Sequence, residues 1–196
     1  MGEATIRVNR FGLERGRLWQ AVLAVVAIVL PMGLWTGLER AVGDTTEKLM
    51  PGETITLQSY PVADATLQFL PPGSGWSAGL SLSQHRIELD RDKVSATVQV
   101  DTAVDSLRRL LDRRADRFTA TQPGVAVTNV REYHNQVNGL EGYRADLYGR
   151  NIAGTIVVVG SGGAAATVIT IAPSGQFDDS TASADDFVSS FVLSGA

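Results

Sequence analysis

The sequence predicts an α+β fold in which an antiparallel sheet is accompanied by a central amphipathic helix and a C-terminal helix. One N-terminal transmembrane helix is predicted to precede this domain. Apolar and polar residues alternate through most of residues 53–172, which indicates strands. The period becomes helical over residues 103–119 and again after Ser183. The uncharged run 18–38 is 21 residues long, and a helix needs about 20 residues to cross a bilayer.

The run LWQAVLAVVAIVLPMGLWTGL, residues 18–38, is interpreted as the transmembrane helix. Trp19 and Trp35 lie near its two ends, where indole rings favour the headgroup layer. The competing interpretation is a cleavable signal peptide with a small-residue site at 41–43. The apolar core of a signal peptide is usually about 7 to 15 residues long, so the length favours a retained anchor.

Basic side chains precede the apolar run, with Arg15 and Arg17 directly before it. Positive residues flanking a membrane helix favour the cytoplasmic side. Residues 1–17 are therefore predicted to form a cytoplasmic basic tail. The chain is expected to be a single-pass protein of the cytoplasmic membrane with its C-terminal domain on the extracytoplasmic side.

Residues 39–52 carry charges, Gly and Pro, and we interpret them as a linker to an extracytoplasmic domain over residues 53–196. Within this domain residues 94–100 alternate strictly, which predicts a strand of a sheet covered on one side. Later strands are predicted at Val125–Tyr133, Gly142–Tyr148, Ile152–Val159 and Ala165–Ile171. The short connections between them predict consecutive antiparallel hairpins.

The central helix is predicted over residues 103–119, with Thr102 and Asp105 at capping-box spacing. Pairs such as Asp105 with Arg109 have the four-residue spacing of neighbours on a helix. Ser183 and Asp186 also have capping-box spacing, and they predict the start of the closing helix.

Five arginines on the outer face of the central helix form the candidate interaction surface. They are Arg108, Arg109, Arg113, Arg114 and Arg117. Guanidinium groups bind lipid phosphates and acidic protein surfaces, so an envelope protein or an anionic lipid is the expected partner. An ordinary solvated face with ion pairs within the helix is the interpretation that the interlaced aspartates favour.

Composition excludes several classes of function. The chain of 196 residues has no cysteine, so disulfide scaffolds, thiolate catalysis and a lipid-modified cysteine are excluded. Residues 1–43 have a net charge of +2 and residues 44–196 a net charge of −6. That balance gives no reason to expect nucleic-acid binding.

No catalytic, cofactor or metal site is predicted. His85 and His134 are the two histidines, and a metal site needs several converging ligands. His85 is expected on the same strand face as Ile87 and Leu89. Ser161 lies between two glycines without the spacing of a hydrolase elbow, so a hairpin turn is the favoured interpretation.

The order of elements resembles the PsbP-like fold. The resemblance is carried by a strand that reaches a Pro-Gly turn and Trp76 (residues 67–76), the central helix, the start Leu140-Glu141-Gly142-Tyr143 and a terminal Asp-Phe-Val helix. It implies a relationship to actinobacterial envelope proteins of the LpqN type, with a transmembrane anchor replacing the lipidated cysteine. Such proteins are mainly binding, adaptor and assembly modules, so no enzymatic activity is expected.

The functional expectation is a non-enzymatic accessory protein that supports a transport or secretion complex of a bacterial cell envelope. A module that binds a lipid or another small apolar ligand is the alternative, and it requires a sizeable apolar pocket. A hydrolase is a further alternative, and it requires a Ser, a His and a carboxylate within hydrogen-bonding reach.

Overall fold

A computed structural model describes residues 46–62, 64–79, 83–175 and 183–195. The predicted transmembrane helix, Arg15, Arg17, Trp19 and Trp35 lie outside these ranges. Within them, no helix has both the length and the apolar character that a membrane span requires.

The described residues form strands and two helices in the order strands, helix, strands, helix, strand. The strands are β1 (Glu47–Lys48), β2 (Ile55–Gln58), β3 (Ala65–Phe69), β4 (Ser77–Ala78), β5 (Arg86–Arg91), β6 (Val94–Asp101), β7 (Val125–His134), β8 (Glu141–Gly149), β9 (Ile152–Ser161), β10 (Ala164–Pro173) and β11 (Val192–Gly195). The helices are α1 (Leu107–Thr121) and α2 (Ala184–Ser189). Strand β1 lies in the segment interpreted as a linker, so the folded unit extends back to Thr46.

The described strands form two antiparallel sheets. The larger has the order β1-β4-β5-β6-β10-β9-β8-β7, and the smaller has the order β11-β3-β2. Every pairing in both sheets is antiparallel. The predicted α+β class with an antiparallel sheet is therefore confirmed.

The larger sheet is the middle layer of the domain. Helix α1 packs on one face, where Leu110 and Leu111 contact Ala145, Leu147 and Ile156. The smaller sheet and α2 cover much of the opposite face. The expectation of one covered side holds at β6, which keeps one apolar and one more polar face, whereas the strands beneath α1 are covered on both sides. The two-sided cover explains why β9 and β10 are almost continuously apolar.

Four aromatic rings fill the core beneath the smaller sheet: Phe69, Trp76, Phe187 and Phe191. The Trp76 ring lies 5.2 Å from the Phe187 ring, between centroids, in an edge-to-face arrangement. Its indole nitrogen donates to the Pro72 carbonyl at 2.8 Å. The guanidinium carbon of Arg91 lies 4.7 Å from the ring centroid, so a cation covers the indole.

The four predicted strands after the central helix are confirmed as β7 to β10, with ends within two residues of those expected. The turn between β9 and β10 is formed by Gly162 and Gly163, whose φ angles are +59° and +84°. Two consecutive positive φ angles characterise the tight hairpin turn that glycine permits.

The predicted start of the central helix is wrong. Ser106 caps α1, and its hydroxyl accepts a hydrogen bond from the Arg109 backbone nitrogen at 3.3 Å. Ala103 has a φ of +54°, which a helix does not permit. The Val104 nitrogen donates to the Gly163 carbonyl at 3.0 Å. This contact with the β9–β10 turn holds the segment before α1 out of the helix.

The predicted capping box of the closing helix is confirmed. The Ser183 backbone nitrogen donates to the Asp186 carboxylate at 2.8 Å, and α2 follows. The helix ends at Ser189, and Val192 then pairs with Gln68 as the first residue of β11. The expected strand position of His85 is also wrong, because His85 lies in the turn before β5.

A polar network attaches α2 to β7 and β8. Arg144 forms ion pairs with Asp185 of α2 and with Asp146 of its own strand. Asn135 donates to the Tyr133 hydroxyl and to the Ser189 hydroxyl, both at 3.2 Å. Burial raises the pKa of Tyr133 to about 12, a hydrogen bond from Asn135 lowers it, and the Asp185 carboxylate raises it further.

This shift predicts a loss of stability at high pH. The Tyr133 pKa is about 12 in the folded chain, against 10.0 for an unperturbed tyrosine. Protonated Tyr133 contributes fully to the free energy of unfolding below pH 10, and this contribution declines as the pH rises towards 12. Chemical denaturation across this window is expected to give a smaller decline for Tyr133→Phe than for the wild type. Equal slopes for the two proteins would contradict the assignment.

Candidate interaction surface

Helix α1 distributes its five arginines among three environments. Leu107, Leu110 and Leu111 turn one side of the helix towards the larger sheet. Residues at four-residue spacing share a side of a helix, so each arginine's position relative to these leucines fixes its surroundings. Arg114 lies at the side that packs, Arg108 lies towards β8, and the remaining three are exposed.

Arg114 does not lie on the outer face where it was expected. Its side chain is 12% exposed, and its Nη2 donates to both carboxylate oxygens of Asp101 at 2.6 and 2.7 Å. Asp101 is the last residue of β6. The pair therefore holds α1 onto the sheet and engages the charge of Arg114 within the domain.

Removing the carboxylate charge is expected to destabilise the domain. Asp101→Asn leaves the largely buried guanidinium of Arg114 without its counter-charge, which should cost about 1 to 3 kcal/mol. The matched control is Asp112→Asn, which removes an exposed i,i+4 partner and should cost about 0.5 kcal/mol or less. Equal losses in urea denaturation would contradict an anchoring role for Asp101.

Arg108 is also engaged within the domain. Its Nε donates to the Asp112 carboxylate at 3.2 Å. Its guanidinium carbon lies 5.8 Å from the centroid of the Tyr143 ring, within range of a cation–π contact. The sequence-based interpretation of helix-internal ion pairs holds for this arginine. The expected pair between Asp105 and Arg109 is not formed, because Asp105 precedes the first turn of α1.

Three arginines form what we call the arginine stripe: Arg109, Arg113 and Arg117. All three are exposed, and within the described residues none has a carboxylate within 4.0 Å. Their four-residue spacing separates successive members by about 6 Å along the helix axis. Like charges at this spacing destabilise a helix slightly. The stripe is therefore the part of the candidate surface that remains open to an anionic partner.

Carboxylates lie beside the stripe. Asp105, Asp112 and Asp116 line the same shallow depression as Arg109 and Arg113, with a volume of about 300 Å³. The exposed side of α1 is thus a surface of both signs.

A groove adjoins the stripe at its Arg117 end. Helix α1 packs over β7, β8 and β9, so the same face of β5 and β6 is left uncovered. The groove has a volume of about 340 Å³. Its helical wall includes Arg117, Phe118 and Thr121, its floor includes Thr97, Gln99, Ile169 and Ile171, and its far rim includes Glu88 and Asp90. Sequence periodicity gave no signal for this groove, because it depends on the long-range pairing of β6 with β10.

A second cleft, of about 520 Å³, lies between β2 and the strands β4 and β5. Ile55, Leu57, Ala78 and Ile87 supply its apolar lining. His85 lies in the turn before β5, where its Nδ1 is 2.8 Å from the Ser83 hydroxyl and its ring stacks on Tyr60.

The two histidines are in separate places. His134 lies at the end of β7 and is 3.6 Å from the Glu141 carboxylate, with both side chains exposed. No carboxylate lies within 4.0 Å of His85 among the residues that the structure describes. In the same residues, no three His, Asp or Glu side chains are grouped closely enough to hold a metal ion. Ser161 is exposed at the end of β9.

Comparisons with known proteins assign no family. No family model matches the chain, and none of the curated proteins matches it. Among solved structures, the chain is similar to a protein from Bacteroides thetaiotaomicron whose crystal structure was determined at 1.50 Å resolution. The two are 12% identical with a TM-score of 0.38, and the match covers 75% of this chain. The chain spans 49% of the length of that protein.

Proposed function

We propose that this protein is a non-enzymatic accessory protein of a bacterial cell envelope, with a PsbP-like domain held at the membrane by residues 18–38. The domain binds another envelope component and supports a membrane transport or secretion complex. Anchoring raises its effective concentration at the membrane, so a modest affinity for the partner suffices. Only the resemblance to LpqN-type proteins supports the assignment to such complexes.

The arginine stripe is the observation that carries the binding role. A domain with a net charge of −6 over residues 44–196 presents three exposed guanidinium groups in line on one helix. The other two arginines of α1 are ion-paired, and Arg114 in particular is committed to the fold. Among the arginines of α1, those of the stripe therefore have their charge available for intermolecular contact.

Topology is tested with reporters fused after residue 196 in a bacterial host. The proposal expects activity from a reporter that works outside the cytoplasm and silence from one that works inside it. Membrane fractions should retain the full-length chain, because a 21-residue apolar segment resists extraction by salt or alkali. Activity of the cytoplasmic reporter alone would contradict the proposed location.

Partner capture tests the binding role. The triple variant Arg109→Glu, Arg113→Glu and Arg117→Glu is expected to lose specific partners in a native pull-down of detergent-solubilised protein. The control is Lys48→Glu, Lys93→Glu and Arg150→Glu, which makes the same charge change at three exposed positions elsewhere. Mass spectrometry of proteins and lipids should find the same partners with the control as with the wild type. Identical capture by both variants would overturn the role of the stripe.

The cleft beside β2 favours a second candidate function, the binding of a lipid or another small apolar ligand. Its volume of about 520 Å³ and its apolar lining from Ile55, Leu57 and Ile87 support this candidate. Binding of a fluorescent fatty acid to the wild type but not to the Ile87→Glu variant would favour this candidate. Mass spectrometry of the native protein without any copurified small molecule would count against it.

A further inference from the structure

We propose that the arginine stripe and the adjoining groove together bind an extended acidic segment of a partner protein. The segment's carboxylates pair with Arg109, Arg113 and Arg117, and an apolar side chain beyond them enters the groove at Phe118. This inference rests on the proposed binding function and names the class of partner that the site accepts.

The spacing of the stripe fits a protein segment. Successive arginines are about 6 Å apart along the helix axis. Alternate residues of an extended chain are about 6.6 Å apart and point to the same side. A segment with carboxylates at alternate positions can therefore place one carboxylate against each guanidinium, in the bidentate geometry that arginine favours.

Charge and shape favour a protein over an anionic bilayer. Asp112 and Asp116 lie beside the stripe. A uniformly negative surface that is attracted by the arginines would therefore also be repelled by these two carboxylates. A protein segment can avoid them because its charges occupy discrete positions. The groove is concave, and a flat headgroup layer cannot reach its floor.

The groove supplies the apolar part of the site. Phe118, Ile169 and Ile171 line it, and Arg117 belongs both to its wall and to the stripe. Its volume of about 340 Å³ is at the lower end of ligand-pocket sizes, which is enough for one or two side chains. A segment that follows the stripe therefore reaches the groove at its Arg117 end.

The test uses purified full-length protein in a neutral detergent. The probe is a short synthetic peptide with glutamate at alternate positions followed by a leucine, and its binding is measured by fluorescence anisotropy. The charge-reversed triple variant of the stripe should bind at least about tenfold more weakly, and added salt should weaken the wild type. The Lys48, Lys93 and Arg150 reversal should bind like the wild type. A peptide with lysine in place of glutamate should not bind.

The groove is tested separately by Thr97→Phe, which fills its floor and leaves the stripe intact. A second peptide carries serine in place of the leucine. The wild type should bind the leucine peptide more tightly than the serine peptide, whereas Thr97→Phe should bind both equally, with an unchanged Tm. Retention of that preference would overturn the groove's role.

Three results would overturn the proposal as a whole. The first is that the stripe variant binds the acidic peptide as tightly as the wild type does. The second is that the protein binds phosphatidylglycerol vesicles through the stripe but does not bind the peptide. The third is that the protein associates with itself through the stripe. The peptide assay does not depend on membrane topology. Its failure therefore leaves the proposed accessory function standing, and a failed topology test leaves peptide binding standing.

Discussion

Replacing Trp76 by alanine is expected to lower the free energy of unfolding by about 3 to 5 kcal/mol, the usual cost of removing a buried aromatic side chain. Trp76 is 2% exposed and contacts the aromatic core through the Phe187 ring. Its loss also leaves the Arg91 guanidinium without the indole face. For a domain of this size the change corresponds to a fall in Tm of roughly 10 °C.

Thermal and urea denaturation measure this effect, with Tyr148→Ala as the control. Tyr148 is 55% exposed on β8, so its truncation should change stability by about 1 kcal/mol or less. Trp76→Phe should give an intermediate loss, because it keeps an aromatic ring and removes the hydrogen bond to Pro72. A wild-type Tm for Trp76→Ala would contradict the burial described for this core.

Replacing Gly142 by alanine is expected to destabilise the domain by about 3 kcal/mol, towards the upper end of the cost of overpacking. A β-carbon at this position would overlap the Val158 carbonyl oxygen and lie 2.9 Å from the Val159 α-carbon. Both are backbone atoms of the neighbouring strand β9, so no side-chain rotation can make room. The strands β8 and β9 would have to separate at this point.

Gly175→Ala is the matched control. Among the described residues, Gly175 has no atom within 4 Å of the corresponding β-carbon position, and its backbone is outside the left-handed region. Its replacement should leave the urea midpoint unchanged or raise it slightly. Similar losses of stability for the two alanine variants would show that the close approach of β9 is not the cause of the effect at Gly142.

Local periodicity was sufficient to predict the strands β7 to β10, because each has many apolar residues and a short turn after it. It was insufficient for β11, where only Val192 and Leu193 are apolar and the pairing partner lies in β3. It also placed His85 on a strand, since period-two alternation continues into the turn before β5. Strand β6 precedes α1 in the chain and β10 follows it, so local sequence carries no signal for the pairing of these two strands.

The position of each arginine along the helix also indicates its surroundings. Arg114 is three residues after Leu111 and four before Phe118, so helical geometry places it beside the apolar side of α1. Its partner Asp101 could not be identified in this way, because it lies on β6 before an irregular segment. Only three of the five predicted arginines are therefore open to a partner.

The β9–β10 hairpin belongs to both cores of the domain. Ile156 and Val158 contact the core under α1, whereas Val157 and Val159 contact the core under the smaller sheet. A substitution that loosens one core at this hairpin therefore also disturbs the other, because the same two strands contribute side chains to both.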